Sequence, residues 1–171
     1  LDLNEAEKWY QRAADNGCAD AQYQLGTWYE KGNAVVPQNK ARAKELYLKA
    51  AKQKYAKAEL AYAICQEEDA LWRSAENWYG NALSNEDASN EIVAEAQYRM
   101  GRLYEEVKKD RNTAEIYYID ASSSGHAEAQ YKLGMWFKNG ASVPTKYDKE
   151  QAVKCFAKAA KQGHPEAEYW Y

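Results

Sequence analysis

The chain has 171 residues, 46% of them hydrophobic and 29% charged, a balance that excludes a disordered chain and suits a globular domain with a real core. A net charge of −3 with acids and bases interspersed leaves no basic stripe to neutralise phosphates, which argues against nucleic acid as a partner. No apolar run approaches the roughly 20 residues of a membrane span, so direct membrane insertion is not expected. Cys18, Cys65 and Cys155 form no CxxC pair and no even set, which argues against a disulfide framework without identifying a compartment. Only three Pro and nine Gly favour helix over sheet, and the expected class is all-α.

In chain order, two amphipathic phrases alternate. "AEKWYQRAA" from Ala6 places apolar residues at 0, +3, +4, +7 and +8, and "AQYQLGTWY" from Ala21 places them at 0, +4, +7 and +8. Both are one-face patterns of a 3.6-residue helix. The first returns as "AKELYLKAA" from Ala43, "AENWYGNAL" from Ala75, "AEIYYIDAS" from Ala114 and "AVKCFAKAA" from Ala152. The other returns as "AELAYAICQ" from Ala58, "AQYRMGRLY" from Ala96, "AQYKLGMWF" from Ala129 and a short "AEYWY" from Ala167. Fixed periods of this length mark a stack of helix pairs. The expected repeats are 1–17 (partial), 18–54, 55–90, 91–125, 126–163 and 164–171 (partial) within a single repeat domain. The chain therefore reads as starting inside one helix pair and ending inside another, like a segment of a longer array or one with unusual caps.

Gly17, Gly125 and Gly163 follow the helices of the first phrase, where a left-handed cap is expected. Asp20, Glu128 and Glu166 then sit in the first turn of the next helix, on the favourable side of its dipole. Lys54 replaces the glycine in the third repeat's entry, and the "SNEDASN" insertion from Ser84 displaces it in the fourth, so these two junctions are expected to be irregular. Gly26, Gly101 and Gly134 recur inside helices at a cost of about 1 kcal/mol each relative to Ala, which predicts close approach of a neighbouring helix there. Ala63 holds that slot in the third repeat.

The chain carries no HExxH, phosphate loop, GxSxG or CxxC motif. His126 and His164 each follow a capping Gly, the position Cys18 holds after Gly17, and lie one repeat apart. Equivalent positions in such a stack are separated by two helix-packing steps of about 8–10 Å, too far to share an ion. They read as helix-start residues, with no metal and no cofactor expected. Tyr10, Tyr47, Tyr79, Tyr118 and Phe156, with Tyr29, Tyr104 and Phe137, fall on the core stripes.

The phrases "AxYxLGxxYxxG" and "AxxWYxKAAxxG", with the loops "VVPQNKARA" and "SVPTKYDKEQA", resemble the Sel-one-like repeat family, a branch of the tetratricopeptide-type α/α superhelical solenoids of antiparallel helix pairs. The resemblance covers essentially the whole chain; the third repeat departs, with Gln66 in place of an aromatic. In the pattern resembled, position +2 of the second phrase, about 200° round the helix from the core Ala, shares a concave groove with −1, +6, +9 and +10. The candidate partner-binding residues are Tyr23, Thr27, Glu30, Leu60, Ile64, Glu95, Tyr98, Arg102, Glu105, Glu128, Tyr131 and Met135. Carboxylates outnumber cations on these positions, so an acidic groove with a tyrosine spine is expected. Each such Tyr either meets a partner, which suits its large area and few rotors, or leans on the next repeat.

The resemblance implies a non-enzymatic protein–protein interaction scaffold or adaptor, holding a protein or peptide segment with basic residues and an apolar side chain. Two alternatives come with the family: an immunity protein inhibiting a secreted bacterial toxin, and a β-lactam-binding or hydrolysing enzyme, whose disulfide ladder this chain lacks. The first residues, with Asp2, Asn4 and Glu5, are not a signal-peptide core, and any targeting segment would lie outside this chain, leaving cytoplasmic and periplasmic or luminal locations open.

Overall fold

The computed structural model describes residues 3–140 and 148–170. The Ser142–Tyr147 part of the second long loop and the terminal Tyr171 lie outside the described residues. Ten helices and no strand occur among those described. The chain divides into two compact units, Leu1–Ala88 and Ser89–Tyr171.

The first unit contains α1 (Leu3–Asp15), α2 (Ala19–Lys31), α3 (Lys40–Ala51), α4 (Ala56–Glu68) and α5 (Trp72–Leu83). Each helix packs on its chain neighbour, most extensively α2 on α3 and α4 on α5. The second unit repeats this with α6 (Asn90–Glu106), α7 (Arg111–Ser123), α8 (Ala127–Lys138), α9 (Lys149–Ala160) and α10 (Pro165–Trp170), where α6 pairs with α7 and α8 with α9. The fold is the α/α solenoid of helix pairs that the two alternating phrases predict. The helices of the "AQY" phrase are α2, α4, α6, α8 and α10.

Alanine lines the contacts because it removes side-chain bulk where two helices meet: Ala43, Ala58, Ala75, Ala96, Ala114 and Ala129 are all buried. Leu25, Leu46, Tyr47, Tyr79, Tyr118 and Phe156 fill the space between them, each buried large side chain contributing about 1.5–3 kcal/mol of transfer free energy. The interior glycines meet a ring. A Cβ on Gly26 would stand 2.5 Å from Tyr47 Cε1, one on Gly101 2.6 Å from Tyr118 and one on Gly134 2.6 Å from Phe156. The close approach is thus by the aromatic side chain of the paired helix.

One junction differs from expectation. Lys54 takes φ 61°, the left-handed backbone that Gly17, Gly125 and Gly163 take at φ 90°, 94° and 78°. The same pair of turn hydrogen bonds closes it, with Lys54 N–H donating to Ala51 O and Tyr55 N–H to Ala50 O. The turn is therefore regular, and the residue in it is strained. The "SNEDASN" junction does differ in form: α5 ends at Leu83 and α6 starts after the N-cap Ser89, whose hydroxyl accepts from Ile92 N–H. Asn85 of this insertion donates to Lys54 O and to Glu59.

Candidate functional site

The tyrosine at +2 occupies a built contact in three repeats. Tyr23 packs against Tyr47 of its own repeat at 5.7 Å and Tyr55 of the next at 5.6 Å. Tyr98 packs against Tyr118 at 5.9 Å and stacks on His126 at 4.4 Å. Tyr131 packs against Phe156 at 5.9 Å and stacks on His164 at 4.5 Å. The ring from the next repeat also reaches the acid at −1: Tyr55 Oη donates to Asp20 at 2.7 Å, His126 Nε2 lies 2.9 Å from Glu95, and His164 Nε2 lies 2.8 Å from Glu128. An acid, a tyrosine and the residue opening the next helix form one clasp.

The histidines have a defined proton arrangement. Nδ1 of His126 accepts from Ala129 N–H at 3.2 Å, and Nδ1 of His164 accepts from Ala167 N–H at 3.3 Å. A nitrogen that accepts has no proton, so Nε2 carries it and donates to the carboxylate. This hydrogen bond from His126, with Arg99 adding to it, pulls the Glu95 carboxyl down from 4.5 to about 2. Burial, with Glu128 nearby, pushes the Tyr98 phenol up to about 12.

A second set of carboxylates serves the repeat interior. Glu30 accepts from Tyr47 Oη at 2.8 Å, Glu105 from Tyr118 Oη at 2.8 Å, and Glu67 from Tyr79. At the fourth such position the acid is Lys138 and the tyrosine is Phe156, so donor and acceptor are lost together. Lys138 Nζ instead lies 3.0 Å from the centroid of Trp170.

All twelve sequence-selected residues are partly exposed. Tyr23, Thr27, Glu30, Leu60 and Ile64 line one cavity of about 200 Å³ in the first unit, with Lys31 and Lys57 beside them. The other seven lie on α6 and α8 in the second unit. There Arg102 pairs with Glu106 at 3.0 Å and Lys132 with Glu105 at 3.0 Å, while Tyr131 and Met135 pack against the cluster of Ala152, Phe156, Ala159 and Ala167. The acids of this face therefore hold internal partners as well as facing outward.

Sequence reading missed the glutamine at +1. Gln22 donates to Ala14 O and accepts from Gln53, and Gln130 donates to Ser122 O and accepts from Gln162. Each joins the preceding helix to the turn that closes the following one, and the recurring "AQY" was the available signal. The thiols of Cys65, pushed up by burial to about 11, and Cys155, also raised by burial, stay protonated, unlike activated thiolates. Among the described residues no group of three or more His, Cys, Asp or Glu is placed to hold a metal.

The family model of the Sel1 repeat matches residues 2–18, 19–55, 94–126 and 127–164. It passes over residues 56–93, the third repeat, which carries Leu60 and Gln66. Chitin synthase regulatory factor 3 of Schizosaccharomyces pombe is 28% identical over 94% of this chain, which spans only 18% of that protein. The Sel1-repeat-containing protein YjcO of Escherichia coli K12 is 30% identical, covering 89% of this chain and 68% of its own. Among solved structures, a Sel1 repeat protein from Oxalobacter formigenes superposes with a TM-score of 0.83 at 33% identity, over 95% of this chain and 64% of that one. The immunity protein Pa5087 of Pseudomonas aeruginosa is alike in fold, with a TM-score of 0.61 at 21% identity over 94% of this chain and 59% of its own.

Proposed function

Since the chain belongs to the Sel1 repeat family, whose repeats act as protein-interaction scaffolds, we propose that it holds a protein or peptide segment on the faces of its "AQY" helices that carry the +2 residues, without catalysing a reaction. The observation that carries this reading is the convergence of Tyr23, Thr27, Glu30, Leu60 and Ile64 on one open cavity. The carboxylates on the same face favour a segment with basic residues beside its apolar ones. At Asp20, Glu30 and Glu128 the hydrogen bonds from Tyr and His hold the carboxylate in place without cancelling its charge, so a partner meets preset acceptors, and little ordering cost falls on binding.

The test is a pull-down with the wild type beside a Tyr98→Ala, Tyr131→Ala variant, each checked for an intact helical melt. Loss of a partner from the folded variant is expected; equal recovery of every partner would sink the reading. Salt gives a second check, because exposed charges are screened beyond about 10 Å at 0.1 M: binding that does not weaken as salt rises removes the acidic face as a contributor.

A second reading, inhibition of a secreted toxin, draws only on the likeness of fold to an immunity protein. It requires that purified chain inhibit an enzyme encoded beside it.

A further inference from the structure

The third repeat breaks the clasp at two of its positions. Lys57 stands where the other repeats have Asp20, Glu95 and Glu128, and Leu60 stands where they have Tyr23, Tyr98 and Tyr131. On α4 these exchanges leave an apolar wall of Leu60, Ala61 and Ile64, which lines the cavity of about 200 Å³ together with Tyr23 and Thr27 of α2. A dry cavity of about 150 Å³ takes benzene, so this one has room for a Leu, Ile, Met or Phe side chain.

The charges at its edge differ from those of the face around it. Glu30, Lys31 and Lys57 line it, and Glu30 is bound to Tyr47 Oη. On the far side of Glu30, Lys40 pairs with Glu68 and Lys44 with Asp69. Lys31 and Lys57 are exposed, and neither enters an ion pair among the described residues. Asp20, one helical turn before Tyr23 on α2, accepts from Tyr55, and Glu67, one turn after Ile64 on α4, accepts from Tyr79. The local balance at the cavity edge is one carboxylate against two ammonium groups.

We propose that this cavity seats one apolar side chain of a partner protein's segment, with an Asp or Glu next to it held by Lys31 and Lys57. The proposal rests on the scaffold reading above and specifies the partner's chemistry at one point: basic residues along the face, and a single acidic residue beside the seated one. Charge complementarity sets the acidic neighbour, and the apolar wall sets the side chain between it and the next.

The experiment uses short fluorescein-labelled peptides in a Gly, Ser and Lys background, carrying either Leu or Ala at one central position and Asp, Asn or Lys beside it. Anisotropy with the full chain is expected to show Leu binding about tenfold or more tighter than Ala. Asp is expected several-fold ahead of Asn and further ahead of Lys. Leu60→Tyr restores the residue of the other repeats and fills the cavity, so the Leu preference should disappear. Lys57→Glu, at an exposed position, should reverse the Asp over Lys preference while leaving the urea midpoint near wild type.

Failure of wild type to distinguish Leu from Ala overturns the proposal, as does an unchanged Asp preference in Lys57→Glu. These variants leave Tyr98 and Tyr131 untouched. If the pull-down loses its partner in the Tyr98, Tyr131 variant yet keeps it in Leu60→Tyr, the scaffold reading stands and the seat falls; if every variant recovers every partner, both fall.

Discussion

Phe156 and Lys138 stand in the fifth repeat at the positions held by a tyrosine and a glutamate in the three repeats before it. The exchange is physically coupled, because a buried phenol needs an acceptor and a hydrogen bond to a carboxylate contributes about 1.5–3 kcal/mol net, while Phe needs neither. Tyr47→Phe and Glu30→Lys should therefore each destabilise the chain by about 1 kcal/mol or more in urea unfolding. The double substitution, which copies the fifth repeat, should cost less than the two added together, with a coupling of at least about 0.5 kcal/mol in a double-mutant cycle. Strict additivity would mean that the hydrogen bond contributes nothing. Lys54 makes the opposite case. Its φ of 61° costs a side-chain-bearing residue roughly 1–2 kcal/mol, part of which returns in the unfolded state because Lys has less freedom to lose than Gly. Lys54→Gly is expected to stabilise by about 0.5–1 kcal/mol, read as a higher urea midpoint at unchanged slope.

Gly134 shows how a helix pair overrides propensity. In an isolated helix Gly→Ala stabilises by about 1 kcal/mol, but here the new Cβ meets Phe156 Cε1 at 2.6 Å. Gly134→Ala should instead destabilise by about 1–3 kcal/mol, and pairing it with Phe156→Leu should recover part of the loss; a stabilised single variant would show that α8 and α9 shift apart freely. The helices themselves were legible because apolar spacing at 3.6 residues reports a buried face directly. The recurring glycines were legible as close contacts, since a repeated local cost implies a repeated compensation. What touches them was not, because the ring comes from a helix 17 to 22 residues further along. The same holds for Gln22 and Gln130, whose partners on both sides become neighbours only when three helices stack.

Inside each unit the clasps tie successive helix pairs together and the bonds of Tyr with Glu tie the two helices of a pair, and one of the clasps gives the molecule a pH signature. Glu95 is drawn down to about 2 from an ordinary 4.5, first by the His126 hydrogen bond. A carboxyl depressed on folding contributes stability that is present above its unfolded value and lost as pH falls through its folded one. The urea midpoint should therefore drop between about pH 4.5 and 2, and Glu95→Gln should flatten that drop while lowering stability at neutral pH. An unchanged acid limb in the variant would remove this clasp as its source. From the sequence alone came the all-α class, the two helix types, their order and the face each buries, because periodicity, capping residues and self-similarity are local properties of a chain. Only the tertiary structure decided that Tyr98 and Tyr131 stack on His126 and His164, that the acids of this face accept hydrogen bonds from inside, and that Leu60 lines a cavity with Tyr23. Each of these depends on a side chain more than ten residues away, and distance along the chain carries no sign of which groups folding will bring within hydrogen-bond reach.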